Sequence, residues 1–143
     1  MLINNSYKNP ELIRKINNEV GPPFTLIERI KLGGIGSPKL HITASSIEIH
    51  NLLILDNKIK TCTIELRPKG ILVGFGVGLA TYVLVIPFYK LNLYKGKAEE
   101  YSIYKDQYFI KFKANKTDTA IHKYIKKLLD YKVDHKPTDI QDL

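Results

Sequence analysis

The chain's 22 Lys and Arg residues outweigh its 14 Asp and Glu, for a formal charge of +8. The chemistry its side chains offer most readily is therefore attraction to anions, whether lipid headgroups, nucleic acid or an acidic protein. Arg14, Arg29 and Arg67 are the three arginines, so lysine carries the excess. Bidentate phosphate readout leans on the guanidinium fork, which makes this surplus a diffuse attraction rather than a specific reader. Five cations stand beside turn-forming residues. Arg29, Lys31 and Lys39 flank Gly33-Gly34 and Gly36-Ser37-Pro38, and Lys95 and Lys97 straddle Gly96. They are the candidate contacts for an anion or a lipid headgroup.

The other reactive residue types lead away from catalysis. His41, His50, His122 and His135 have no metal-ligand spacing. Glu99 and Glu100 are neighbours on a strand pattern, so they point to opposite faces and do not form an acid–base pair. Cys62 is alone, which excludes an intrachain disulfide and a cysteine metal cluster and suits a reducing compartment. Gly74, Gly76 and Gly78 fail as a dinucleotide fingerprint, because Leu79 follows Gly78 and Thr81 stands where a small residue is needed. Tyr89, Tyr94, Tyr101, Tyr104 and Tyr108 interleave with Lys90, Lys95, Lys97, Lys105, Lys111 and Lys113. That pattern could stack single-stranded nucleic acid, but a solvated sheet face needs the same residues, so nucleic acid is not the expected partner. No enzyme, cofactor or metal is expected.

The elements that position these residues divide around one uncharged run, Ile71 to Tyr89. Its length would let a helix cross a bilayer, and a single span over 71–89 is an alternative reading. Three glycines, Thr81, Pro87 and the β-branched Val73, Val77, Val83, Val85 and Ile86 favour one or two strands buried on both faces instead. In that reading Gly74, Gly76, Gly78 and Ala80 share a face with Leu72, packed under the C-terminal helix or set against another subunit. Met1 to Lys8 should be loose, without the pattern of a signal peptide, so the expected location is cytoplasmic. Asn9-Pro10-Glu11 opens a helix carrying Leu12, Ile13, Ile16 and Val20, ended by Gly21-Pro22-Pro23. Phe24 to Lys31 reads as a strand or a helical turn.

Lys39 to Thr43 and Ile47 to His50 alternate and suggest a hairpin turning at Ala44-Ser45-Ser46. Lys60 to Leu66 is a strand with Cys62, Ile64 and Leu66 on one face. Runs at 91–94, 101–104 and 108–113, with turns at Lys95-Gly96-Lys97 and Lys105-Asp106-Gln107, complete an antiparallel meander. Thr117 or Asp118 caps a final helix with Ile121, Tyr124, Ile125, Leu128 and Leu129 as its apolar stripe. The expected class is mainly β with a C-terminal helix (α+β). It divides into an N-terminal extension with a short helix (1–23), one domain (24–132) and a tail (133–143).

About seven strands and one C-terminal amphipathic helix resemble a pleckstrin-homology-like (PH-like) barrel. Lys39-Leu40-His41-Ile42-Thr43 with Ile47-Glu48-Ile49 is similar to the hairpin motif of GRAM and bacterial PH-like domains. Ile86-Pro87-Phe88-Tyr89-Lys90-Leu91 is similar to a strand start in the same families. The resemblance implies a seven-stranded antiparallel barrel capped by a helix. It also implies a non-enzymatic module that binds a protein partner or self-assembles. The alternative it leaves is a peripheral membrane module that meets acidic headgroups through lysine-rich loops.

Overall fold

Along the residues described by a computed structural model (1–5, 9–97 and 99–134), strands and short helices alternate before a longer final helix. The order is β1 (Leu2–Asn4), α1 (Pro10–Val20), α2 (Leu26–Leu32), β2 (Leu40–Ser45), α3 (Ile47–Leu53), β3 (Thr61–Arg67), β4 (Gly70–Val77) and β5 (Ala80–Pro87), then β6 (Asn92–Lys95), β7 (Glu100–Lys105), β8 (Tyr108–Lys113) and α4 (Thr119–Asp134). The strands form one antiparallel sheet in the order β1-β5-β4-β3-β2-β8-β7-β6, and the sheet is not closed. β2 is its corner. It pairs with β3 at Leu40↔Cys62 and His41↔Thr61, then with β8 from Ile42↔Phe112 to Ser45↔Ile110. The register slips between Ile42 and Ala44, and such a bulge bends the strand that carries it.

The uncharged run is this fold's central hairpin. β4 and β5 pair from Gly70↔Pro87 to Val77↔Ala80 and turn at Gly78, whose φ of +59° suits a residue without Cβ. Because successive side chains face opposite ways, the two strands divide their apolar residues between two cores. Ile71, Val73, Phe75, Val77, Leu84 and Ile86 join the main cluster with Ile64, Leu66, Ile103, Ile110 and Phe112, and with Ile121, Tyr124, Ile125 and Leu128 of α4. Val83 and Val85 join Ile3, Ile16 and Val20, with Leu12 and Leu72 packed against them. An apolar run with little alternation results when both faces of a hairpin are covered. Pro87 ends β5, and Phe88–Lys90 is a single 3-10 turn. The run is not a helix, and no helix among the described residues is long and apolar enough to cross a membrane.

Polar groups fix the covering helices. Asn9 caps α1 by accepting from the Glu11 amide at 2.9 Å. Buried Arg67 joins the end of α1 to the sheet, donating to the Gly21 carbonyl (3.0 Å), to Asn17 Oδ1 (3.2 Å) and to Glu65. On α4, the Tyr124 hydroxyl lies 2.8 Å from the Ile35 carbonyl and 3.2 Å from that of Ile64. Burial pushes its phenol well above the ordinary range.

Several expectations are corrected. Ile47 to His50 is the first turn of α3 and not the second strand of a hairpin. Ile49 and Leu53, four residues apart, are buried while Ile47 stays 63% exposed, a helical rather than alternating pattern. Ser46, preceding this helix, spends its hydroxyl on the Phe109 backbone. Met1 to Asn5 are not loose, since β1 pairs with β5 from Leu2↔Leu84 to Asn4↔Tyr82. Of the two readings of Phe24 to Lys31 the helical one holds, over Leu26–Leu32, opened by a Thr25–Glu28 capping box. The helix α4 runs on through Tyr131, whose ring meets Phe24 at 5.8 Å and Phe88 at 5.9 Å. Only residues 135–143 of the expected tail, His135 among them, lie outside the described residues. The glycine face does not lie under the C-terminal helix, because α4 shares its core with the odd-numbered side chains of β4 on the other face. Ala80 does not belong to the glycine face, since it pairs with Val77 while Gly76 pairs with Thr81. A Cβ built at Gly74 or Gly76 meets nothing nearer than 3.9 Å.

Candidate functional site

The β8–α4 connection, residues 114–118, gathers the cationic side chains that the sequence scatters. On one side of it a cleft of about 450 Å³ is lined by Lys39, His41, Lys113, Asn115, Thr117 and Asp118. On the other side lies a cleft of about 460 Å³, lined by Lys95, Lys97, Glu99, Tyr101, Lys116 and His122. The elements supply these residues in a simple way. Lys39 leads into β2, Lys113 ends β8, and Lys95 and Lys97 sit where β6 turns into β7. Antiparallel pairing brings that turn beside the end of β8, since Glu100 pairs with Lys113.

Hydrogen bonds hold the two walls in place. The Ala114 amide donates to the Glu99 carbonyl and the Gly96 amide to the Glu100 carbonyl, both at 2.7 Å. Asp118 accepts from the Asn115 amide at 2.7 Å. His122 Nε2 lies 2.8 Å from the Asn115 carbonyl, which can only accept, so Nε2 carries the proton. In the neutral ring Nδ1 then accepts from the Tyr101 hydroxyl, 2.7 Å away. Burial raises the Tyr101 phenol above its ordinary value and keeps it a donor. Both nitrogens of His122 are thus occupied in positioning the connection.

Among the described residues the ion pairs are Arg67–Glu65 and Lys90–Asp106. Lys39, Lys95, Lys97, Lys113 and Lys116 take part in neither. Three of the five cations singled out by sequence therefore flank one connection, while Arg29 and Lys31 line neither cleft. Arg29, on α2, donates instead to the Phe24 carbonyl at 3.2 Å. The sequence reading weighed Lys113, His41 and His122 in other roles, not at this connection, and did not single out Lys116. The available signal was the spacing of Lys113 and Lys116 around Asn115, between the last strand and the final helix. Within the interleaved Tyr/Lys set, Tyr101 and Lys105 are buried, and Lys105 Nζ donates to the Val85 carbonyl at 2.8 Å. Tyr94 and Tyr104 remain on the outer face in a T-shaped contact at 5.7 Å.

Two further surfaces stand out. Leu26, Ile27 and Ile30 of α2 are each about two-thirds exposed or more. Leu79 is fully exposed at the β4–β5 turn. Asp56 ties that turn to the α3–β3 loop, accepting from Gly78 N at 2.7 Å and Lys58 N at 3.1 Å, and these bonds lower its carboxyl pKa. Leu55 and Ile59 in that loop are exposed as well. Gly74 and Gly76 line a shallow recess of about 230 Å³ with Thr61, Thr63 and Thr81, while Gly78 sits in the turn. No group of three His, Cys, Asp or Glu among the described residues could hold a metal ion. Cys62 is buried, and desolvation pushes its thiol up to about 12. No family model, no curated protein and no solved structure matches the chain.

Proposed function

We propose that the chain is a non-enzymatic, PH-like interaction module that binds a protein partner or a second copy of itself. Seven consecutive strands in the order β5-β4-β3-β2-β8-β7-β6, followed by a helix, support the PH-like part of this reading. The short strand β1 is then an addition at one edge, and α3 is an insertion after the first of the seven strands. The observation that carries the interaction reading is α2. It is capped at both ends, yet none of its seven residues is buried, and it holds three aliphatic side chains in solvent. Clustered exposed aliphatics of this kind mark contact surfaces.

Light scattering on the wild type and on the L26S/I27S/I30S variant tests it, together with a photo-crosslinking residue placed at Ile27 in cells. A mass above 16.4 kDa that falls to the monomer in the variant supports self-assembly. A monomer that forms one discrete adduct at position 27, lost in the variant, supports a protein partner. A monomer without an adduct overturns the reading. A second reading, a peripheral module on acidic lipid, is favoured by the lysines flanking the β8–α4 connection, which form no ion pair among the described residues. The proposed location is cytoplasmic, at the membrane face in that second case.

A further inference from the structure

We propose that the cleft between the β6–β7 turn and the β8–α4 connection binds a phosphate-bearing ligand, with Lys95, Lys97 and Lys116 as its anion contacts. This site uses none of the α2 residues on which the partner-protein reading rests, so either can fail alone.

Three lysines from two separate stretches of chain line one concavity, and Glu99 is the one acidic residue among its described lining. None of the three is in an ion pair among the described residues. Gathering like charges is unfavourable unless a counter-anion completes the set. The walls are fixed before any ligand arrives. The Ala114 amide ties the turn to the end of β8, the Gly96 amide closes the turn on Glu100, and the Tyr101–His122–Asn115 chain holds the segment carrying Lys116. A ligand therefore has little ordering left to impose.

A volume of about 460 Å³ lies within the range of small-molecule sites. It admits a phosphate together with the group that bears it. Lysine meets phosphate as a point charge, without arginine's demand for planar geometry. A phosphomonoester brings up to two negative charges where a carboxylate brings one, so phosphate fits the charge excess better. Across the connection, Lys39 and Lys113 line the neighbouring cleft together with Asp118.

The chemistry is shared by a soluble polyphosphate and a phosphorylated headgroup, and the experiment separates them. Inorganic pyrophosphate is titrated by calorimetry at low ionic strength into wild type, K95Q/K97Q/K116Q and a control, K15Q/K126Q, whose lysines are exposed outside both clefts. The cleft variant should lose about tenfold or more in affinity, and the control should stay within about twofold. Amine acetylation followed by mass spectrometry should show pyrophosphate protecting Lys95, Lys97 and Lys116, with Lys15 and Lys126 unprotected. Flotation with phosphatidylcholine vesicles carrying a phosphoinositide, lost in the cleft variant, assigns the site to a headgroup. Absence of flotation alongside pyrophosphate binding assigns it to a soluble ligand. No pyrophosphate binding, or equal loss in both variants, overturns the proposal.

Discussion

A Cβ added at Gly70 would collide with the Ile86 carbonyl and the Val20 side chain, whereas one at Gly76 would find only the Ala80 carbonyl at 3.9 Å. The two glycines therefore respond in opposite directions. Gly70→Ala forces the β3–β4 turn away from α1 and should cost about 3 kcal/mol, as overpacking does. Gly76→Ala removes the entropic cost of glycine in an open strand and should gain about 0.5 kcal/mol. Chemical denaturation of both variants reads the difference, and a loss at Gly76 would mean that the glycine face is covered. Cys62 gives a second residue-scale expectation. Its folded pKa, pushed up to about 12, lies above the ordinary value of 9.0. The contribution from keeping the thiol neutral is present below about pH 9, where both states hold the proton. It is lost as pH rises from 9 toward 12, because the unfolded chain ionises first. Maleimide should accordingly leave the native protein unlabelled at pH 8 and label it fully in denaturant.

At the level of elements, attachments that depend on one or two side chains are the most informative. Arg67 is the bridge between α1 and β3. Arg67→Met strands the Gly21 carbonyl and Asn17, and should cost about 2 kcal/mol while leaving the sheet intact by circular dichroism. Tyr131 packs the last turns of α4 on Phe24 and Phe88, so Tyr131→Ala should cost about 2 kcal/mol, less than a fully buried ring. An unchanged unfolding midpoint would mean that the helix ends sooner. These elements also mark where sequence periodicity stops being sufficient. Cys62, Ile64 and Leu66 alternate over seven residues and are buried as that alternation requires. Ile47-Glu48-Ile49-His50 spans only four residues, over which periods of 2 and 3.6 place the same pair of isoleucines plausibly. The i, i+4 pair Ile49 and Leu53 becomes decisive only once the sheet defines which side is inward.

For the whole molecule, the charge of +8 is set against two ion pairs among the described residues, leaving most cations to repel one another. Screening should relieve that repulsion. The thermal midpoint should rise as salt increases from about 0.02 M to about 0.3 M, over which the Debye length falls from roughly 20 Å to under 8 Å. A flat or falling midpoint would show that the lysines are already compensated in the fold. The cationic clefts belong to this scale too, because no segment carries one by itself. Lys39, Lys95–Lys97 and Lys113–Lys116 come from three parts of the chain, and sheet pairing makes them neighbours of one connection.

The sequence by itself determined the β class, the capped first helix, the strand expected at 60–66 and found at Thr61–Arg67, the turns of the meander and the amphipathic stripe of α4 except for Leu129, which is exposed, because each follows from local capping, turn chemistry or a long enough period. It also favoured extended backbone for the uncharged run, since β-branched residues and glycines disfavour a helix there, and left a single span over 71–89 as the alternative that the β4–β5 hairpin removes. Only the tertiary structure decided which layer covers each face of that hairpin, that Ile47–Leu53 is helical, and which lysines share a cleft. Those outcomes depend on contacts between residues far apart in the chain, and side-chain order along a strand carries no information about what lies across it.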